Sequence, residues 1–223
     1  NKKDKRENVE ENYRRVAKAL GIDTLNMVLS NQVHDSKIRI VSDMDRGKGI
    51  HRESDIIGVD GLMTDCPEVA LVTFYADCVP VFLFDPVKRV IALVHSGWRG
   101  TLKNISREAV VKMEKEFGCD PRDIEAAIGP SIGQCCFEVG EEVYAEFVNA
   151  FDWCQAFCKK VGDKWYIDLQ SVIRQVLKSE GLQENKILIS GICTKCNNDV
   201  FFSHRGDNGK TGTLTAIMQL KNP

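Results

Sequence analysis

The sequence predicts a single mixed α/β domain, and three observations support this. Short apolar runs bounded by turn residues alternate along the chain with segments whose apolar positions recur at helical spacing. No internal repeat and no linker rich in Pro, Gly or Ser separates them, so one domain over 1–223 is expected rather than two small ones. With 43% apolar and 28% charged residues in 223, the chain has the composition of a globular protein able to bury a substantial core.

Taken in order, residues 4–20 place Val9, Tyr13, Val16, Ala17 and Leu20 on one helical face, with Gly21 to end the helix. Residues 27–29 form a short apolar strand that runs into Ser30-Asn31-Gln32-Val33-His34. Residues 37–41 alternate as a second strand, which leaves His34 between two strand signals. The polar segment 42–61, with Gly47, Gly49, Gly58 and Gly61, reads as a long loop followed by a turn. A strand over 70–75 leads to the stretch 76–101, two apolar strands joined by the turn Asp85-Pro86-Val87-Lys88-Arg89. Leu102, Ile105, Ala109, Val110, Met113 and Phe117 predict a core-facing helix closed by Gly118. A buried strand over 124–128 ends in Gly129-Pro130-Ser131-Ile132-Gly133, and helices over 141–150 and 169–180 flank a strand over 164–167. Residues 187–192 give the last buried strand before Cys193. The tail is expected to pair 200–203 with 214–219 around Gly206-Asp207-Asn208-Gly209.

The formal net charge of −2, with no Lys/Arg run beyond the first few residues, argues against a general nucleic-acid binder and for a small-molecule substrate. No apolar run reaches the ~18 residues of a membrane span, and no signal-peptide pattern opens the chain, so no membrane partner is expected. The chain opens on Asn1-Lys2-Lys3-Asp4 without a methionine, which predicts a missing N-terminal segment. Nine cysteines, an odd number in a chain too long to need disulfide staples, predict reduced thiols and a cytoplasmic protein.

The chemistry concentrates where the hairpin of 76–101 closes. Antiparallel pairing brings Cys78, at the start of one strand, beside His95, at the end of the other. A thiol next to an imidazole is either a nucleophile with its base or a pair of metal ligands. His34 is the candidate third ligand for zinc, and Asp77 could orient a ligand from behind. The turn Ser96-Gly97-Trp98-Arg99-Gly100-Thr101 has the makings of a phosphate cradle, with backbone N–H groups freed by glycine and a guanidinium fork at Arg99; a tight turn in which Arg99 pairs with a local acid is the alternative. His204 and Arg205, beside a glycine turn, either line a pocket or decorate the surface, while His51 falls in the polar loop and is expected to be solvated. Cys193-x-x-Cys196 with Cys154-x-x-x-Cys158 is a candidate four-cysteine zinc site, set against free thiols. The His-x-Glu…Pro-Cys-x-x-Cys signature of zinc deaminases is absent, because His95 is followed by Ser96-Gly97.

An ordered set of motifs covers essentially the whole chain: Gln32-Val33-His34, Ala76-Asp77-Cys78, His95-Ser96-Gly97-Trp98-Arg99-Gly100-Thr101, Gly129-Pro130-Ser131-Ile132-Gly133 with Cys135-Cys136-Phe137-Glu138-Val139-Gly140, and Cys193-Thr194 with Phe201-Phe202-Ser203. This set closely resembles the laccase-domain family of YfiH-type proteins, first described as multicopper polyphenol oxidoreductases and now regarded as purine nucleoside phosphorylases. The resemblance implies a single domain with α-β-β-α layering of mixed sheets, similar to the catalytic domain of cytotoxic necrotizing factors. It implies a zinc site, copper in the older description, at His34, Cys78 and His95. It implies phosphorolysis of adenosine, inosine and S-methyl-5′-thioadenosine and deamination of adenosine, with Cys78, His95, His34, Arg99 and Asp77 as catalytic residues. Phosphate and substrate are then expected at Ser96, Gly97, Arg99, Gly100 and Arg205, in a monomer or weak homodimer. Rival readings are a cysteine hydrolase or deamidase using Cys78 and His95, and a copper-dependent phenol oxidase; four histidines are few for multicopper chemistry.

The chain departs from the family pattern in several places. Relatives begin with a further strand and a Gly-Gly-Val-Ser type loop. Ser203-His204-Arg205-Gly206 stands where Ser-Tyr-Arg-Arg is usual, Thr213 replaces an arginine, and Phe137 stands at a position that is often tyrosine. If the replaced arginines bind phosphate in the relatives, these departures imply a different substrate preference here.

Overall fold

A computed structural model describes residues 4–222. Residues 1–3, on which the expectation of an upstream segment rested, lie outside the described residues. The elements, in chain order, are α1 (Arg6–Leu20), β1 (Met27–Leu29), β2 (Ile38–Ile40), β3 (Gly61–Thr64), β4 (Ala70–Tyr75), β5 (Val79–Asp85), β6 (Val90–Ser96), α2 (Trp98–Leu102), α3 (Ile105–Phe117), β7 (Glu125–Ile128), β8 (Glu138–Val139), α4 (Glu141–Ala150), β9 (Cys158–Val161), β10 (Lys164–Ile167), α5 (Leu169–Ser179), β11 (Ile187–Ile189) and β12 (Leu214–Gln219).

Period-two burial explains how these elements stack into layers. The six-stranded mixed sheet, in order β11-β7-β5-β6-β3-β2, faces a three-stranded sheet in order β1-β4-β12. In β6, Ile91 and Leu93 point to one side and pack with Leu62, Val28, Leu71 and Ala216 between the two sheets. Ala92 and Val94 point the other way and pack with Ile105, Ala109, Val110 and Met113 of α3. The outer face of the small sheet, Met27, Leu29, Ala70 and Val72, is covered by Ala17 and Tyr13 of α1. The result is the α-β-β-α layering of a mixed α/β fold. Both faces of β6 are buried over all seven residues, which is why its first five, Val90-Ile91-Ala92-Leu93-Val94, read as an unbroken apolar run. Full burial of each Val, Ile or Leu side chain among them is worth about 1.5–3 kcal/mol.

Several elements differ from the sequence reading. Residues 200–203 form no strand; β12 instead pairs antiparallel with β4, Leu214 opposite Tyr75 and Gln219 opposite Ala70. The central strand β4 offers a complete ladder and buried neighbours, which a short local hairpin cannot match. The helix expected from 102 to 117 is broken into α2 and α3 by Asn104, whose φ of 58° is left-handed. The long loop 42–61 is interrupted by a short 3₁₀ turn at Asp43–Asp45 and ends where β3 begins. A third sheet, β8-β10-β9, was foreseen only in β10.

Candidate active site

The register of the β5–β6 hairpin sets the site. Pro80 stands opposite His95 and Val79 opposite Ser96, so Cys78 emerges from one strand where the chain leaves the other for Gly97. His34 comes from the loop between β1 and β2, in a left-handed conformation with φ of 62°. Donor atoms of His34, Cys78 and His95 all lie within 4.8 Å of one another, and the two imidazoles meet edge to face at 4.9 Å.

Asp60, immediately before β3, holds this arrangement together. Its carboxylate is fully buried and accepts the backbone N–H groups of Val33, His34 and Asp35 at 2.9–3.0 Å. It also accepts from His95 Nδ1 at 2.8 Å, leaving Nε2 as the ring atom turned towards Cys78. The Asp60 carbonyl takes the His95 N–H at 2.7 Å. One aspartate therefore shapes the loop carrying His34 and orients His95, the second-layer carboxylate pattern of histidine-ligated metals. The sequence reading missed it, because an Asp-Gly at the end of a glycine-rich polar segment reads as a solvated turn. Only the pairing of Gly61 with Val94 places it beneath His95.

The electrostatics follow from this packing. Burial works against an ionised Cys78, but hydrogen bonds from His34 and His95 outweigh it and bring the thiol down to about 7. Burial likewise opposes a charged His95, but Asp60 and Cys78 prevail and push it up to about 9. Desolvation also disfavours ionised Asp60, yet His95 and the N–H groups of Val33 and Asp35 hold it below the ordinary carboxylate value.

The donor set fits a zinc ion. One thiolate and two imidazoles are the soft and borderline ligands zinc favours, and three protein ligands leave a coordination position for water or substrate. Gly97 packs directly against the cluster: a Cβ there would lie 2.8 Å from Cys78 Sγ and 3.1 Å from His34 Cδ2.

A cavity of about 1000 Å³ opens beside these residues. Tyr75, Asp77, Trp98, Arg99, Phe137, Phe202, His204 and Arg205 line it together with His34, Cys78 and His95. Arg99 lies over the Trp98 ring at 4.1 Å and forms no ion pair with an acid among the described residues. Arg205 donates to the Glu138 carbonyl at 3.0 Å.

Other sequence-predicted residues take different places. Ser96 and Gly100 are buried, and the Ser96 hydroxyl is turned inward, bonded to Thr101 at 2.9 Å. The turn after His95 thus fits Gly97 to the triad and brings Arg99 to the cavity, with the Ser96 side chain facing the core. Asp77 does not orient a triad ligand. Its carboxylate accepts from Thr194 Oγ1 and from the Arg205 N–H, both at 2.7 Å, clamping the loop after β11. His51 is exposed, with Nε2 3.0 Å from Thr24 Oγ1. Cys154 and Cys158 sit 3.9 Å apart and do not join Cys193 and Cys196, which lie beside Cys135 and Cys136. Among the described residues no helix is long and apolar enough to cross a membrane.

Similarity to known proteins extends over nearly the whole chain. The chain is 35% identical over 221 residues to purine nucleoside phosphorylase YlmD of Bacillus subtilis, covering 98% of this chain and 79% of that one. It is 34% identical over 204 residues to adenosine deaminase RL5 from an unknown prokaryotic organism, covering 89% of this chain and 78% of the other. The crystal structure of Bacillus licheniformis hypothetical protein YfiH superimposes with a TM-score of 0.94 at 35% identity, covering 98% of this chain and 83% of that one. The family described as multi-copper polyphenol oxidoreductase laccase matches residues 1–221, and the chain belongs to it.

Proposed function

We propose that this chain is a zinc-dependent purine nucleoside phosphorylase acting on adenosine, inosine and S-methyl-5′-thioadenosine, and that it also deaminates adenosine to inosine. The observation that carries the reading is the convergence of His34, Cys78 and His95 within 4.8 Å on the wall of a cavity that Arg99 also lines. One relative named a purine nucleoside phosphorylase and another named an adenosine deaminase support it.

Phosphorolysis places phosphate near the anomeric carbon of the ribose, forms the C–O bond and breaks the bond to the purine nitrogen. Positive charge develops on the sugar and negative charge on the departing base. Arg99 supplies a planar donor fork to hold phosphate as a dianion, and Arg205 brings a second positive charge to the same cavity. Tyr75, Trp98, Phe137 and Phe202 give the apolar, aromatic walls that suit a purine face. When bound, zinc supplies Lewis acidity and makes water acidic at neutral pH, which deamination of the amino-bearing purine carbon requires. Asp60 keeps the Nδ1 proton on His95, so Nε2 stays available to the ion. The remaining expectations belong to the same proposal: a cytoplasmic protein, a monomer or weak homodimer, one domain across 1–223.

A second reading rests on Cys78, brought down to about 7 beside His95, which Asp60 orients in turn. Thiol, imidazole and carboxylate in that order suit a cysteine hydrolase or deamidase. A single three-donor site supports a copper phenol oxidase less well.

The test is incubation with adenosine and phosphate, separation of adenine, inosine and hypoxanthine, and metal analysis of the same sample. Cys78→Ala is expected to lose metal from the triad and phosphorolysis together. Full activity in the variant with the triad emptied of metal would overturn the proposal, and an alkylatable thiolate at Cys78 in active wild type whose triad holds no metal would favour the hydrolase.

A further inference from the structure

Outside this cavity, four more thiols converge. β7 and β11 are parallel neighbours, Ala126 opposite Ile187 and Ile128 opposite Ile189, so the loops that follow them leave the sheet side by side. Ser131 and Cys193 form an isolated parallel bridge, extended by Ser131 N–H to the Ile192 carbonyl at 3.2 Å and Thr194 N–H to the Ser131 carbonyl at 2.9 Å. The first loop then turns at Gly133, whose carbonyl accepts the N–H groups of Cys136 and Phe137 at 2.9 Å. The second turns at Cys193, whose carbonyl accepts from Asn197 N–H at 3.1 Å.

These turns bring Cys135, Cys136, Cys193 and Cys196 together, with all four sulfur atoms within 4.8 Å of one another. Cys196 Sγ lies 3.5 Å from both Cys135 Sγ and Cys136 Sγ. A disulfide needs about 2.05 Å, and these thiols are unbonded. A tetrahedral ion with Zn–S of about 2.3 Å spaces its sulfurs by about 3.8 Å, close to what is seen. Gly133 makes room: a Cβ there would lie 3.1 Å from Cys193 Cβ and 3.4 Å from Cys135 Sγ.

From this geometry we infer that Cys135, Cys136, Cys193 and Cys196 form a second, structural zinc site with four thiolate ligands. It is closed, having no position left for water, and so carries no chemistry of its own. Its effect is mechanical. Phe137, next to Cys136, lines the cavity, and Thr194, next to Cys193, holds Asp77 at 2.7 Å. The Ile132 N–H bonds the Asp77 carbonyl at 2.9 Å. The ion therefore staples two loops into one rigid wall whose inner end is the residue before Cys78. Two thiolates would come from each loop, so the site cannot form until β7 and β11 have paired, which links metal binding to folding.

The test is zinc stoichiometry of the full chain purified under reductant, read in wild type, Cys78→Ala, Cys196→Ser and the double variant. Cys78→Ala leaves the four thiols intact and is expected to keep about one zinc per chain, with the double variant holding none. The cobalt form of Cys78→Ala is expected to show the strong thiolate-to-cobalt charge-transfer and d–d bands of a tetrahedral four-sulfur site. Cys196→Ser is expected to lose one zinc of about two and to melt at a lower temperature. Absence of zinc from Cys78→Ala overturns the inference, as does wild-type stoichiometry in Cys196→Ser. A disulfide among the four cysteines, seen as a loss of two hydrogens in the mass of the metal-free wild type before any oxidant is added, also overturns it. If Cys196→Ser does not fold, the Cys78→Ala measurement decides alone. Loss of phosphorolysis as an activity would leave these readouts untouched, so the two proposals fail separately.

Discussion

His95 Nδ1 lies 2.8 Å from Asp60 Oδ1, and neither side chain reaches solvent to any useful degree. Asp60 also accepts three backbone N–H groups of the loop carrying His34, so one buried carboxylate governs two of the three candidate ligands. Removing its charge is expected to disturb both, through the tautomer of His95 and the shape of the 33–35 loop.

Asp60→Asn is accordingly expected to weaken triad metal affinity by about 10–100-fold, read by competition with a chromogenic chelator. The pH dependence has a definite sign. The folded Asp60 carboxyl is held below its ordinary value. It therefore contributes stability that is present above the unfolded pKa of about 3.9 and lost as pH falls through the folded one. In thermal melts of metal-free protein, the gap between wild type and Asp60→Asn should be fully open near neutrality and close below about pH 4.

Gly97→Ala tests the packing of the triad. Gly97 has φ −68° and ψ 168°, a backbone conformation alanine adopts freely, so any effect comes from contact rather than strain. The new methyl would sit 2.8 Å from Cys78 Sγ. Displacement of the thiol and of His34 is expected to strip the triad of metal and to cost about 1–3 kcal/mol in urea unfolding.

Alkylation of Cys78 reports its ionisation. In protein freed of metal, the rate of iodoacetamide labelling at Cys78 should rise with a midpoint at about pH 7 rather than near 9, because His34 and His95 stabilise the thiolate. His34→Ala should move that midpoint upward. Reloading with zinc should protect the residue across the whole range. Peptide mapping by mass spectrometry separates Cys78 from the other thiols.

Arg99→Ala should raise the KM for phosphate more than it alters kcat. A charge-assisted hydrogen bond is worth about 1.5–3 kcal/mol, which corresponds to roughly 10–150-fold. Arg99→Lys should recover only part of it, since a point charge lacks the planar fork. Steady-state kinetics with varied phosphate at saturating inosine distinguish the two.

Much of this was legible in the sequence because it is local. The turn 85–89 and the apolar runs on either side specify a hairpin, and a hairpin alone brings position 78 beside position 95. The amphipathic face of α1 and its ending at Gly21, with φ of 67°, are equally local. His34 was a candidate from composition and from family resemblance. Its left-handed backbone and its place against the hairpin were not readable, because both depend on Asp60, 26 residues away.

What only the tertiary structure decided depends on pairings between distant strands. The tail seemed to close on itself around a glycine turn, but β12 found the longer, better buried edge of β4. Asp60 comes to lie against His95 because β3 pairs with β6. The partners of Cys193 and Cys196 turned out to be Cys135 and Cys136 because β7 and β11 run parallel, a contact spanning 60 residues that no local spacing encodes. Side-chain periodicity fixes which face of a strand is buried. Which strand lies next to it is settled by competition among all the apolar surfaces of the chain, and that competition is resolved only in the folded core.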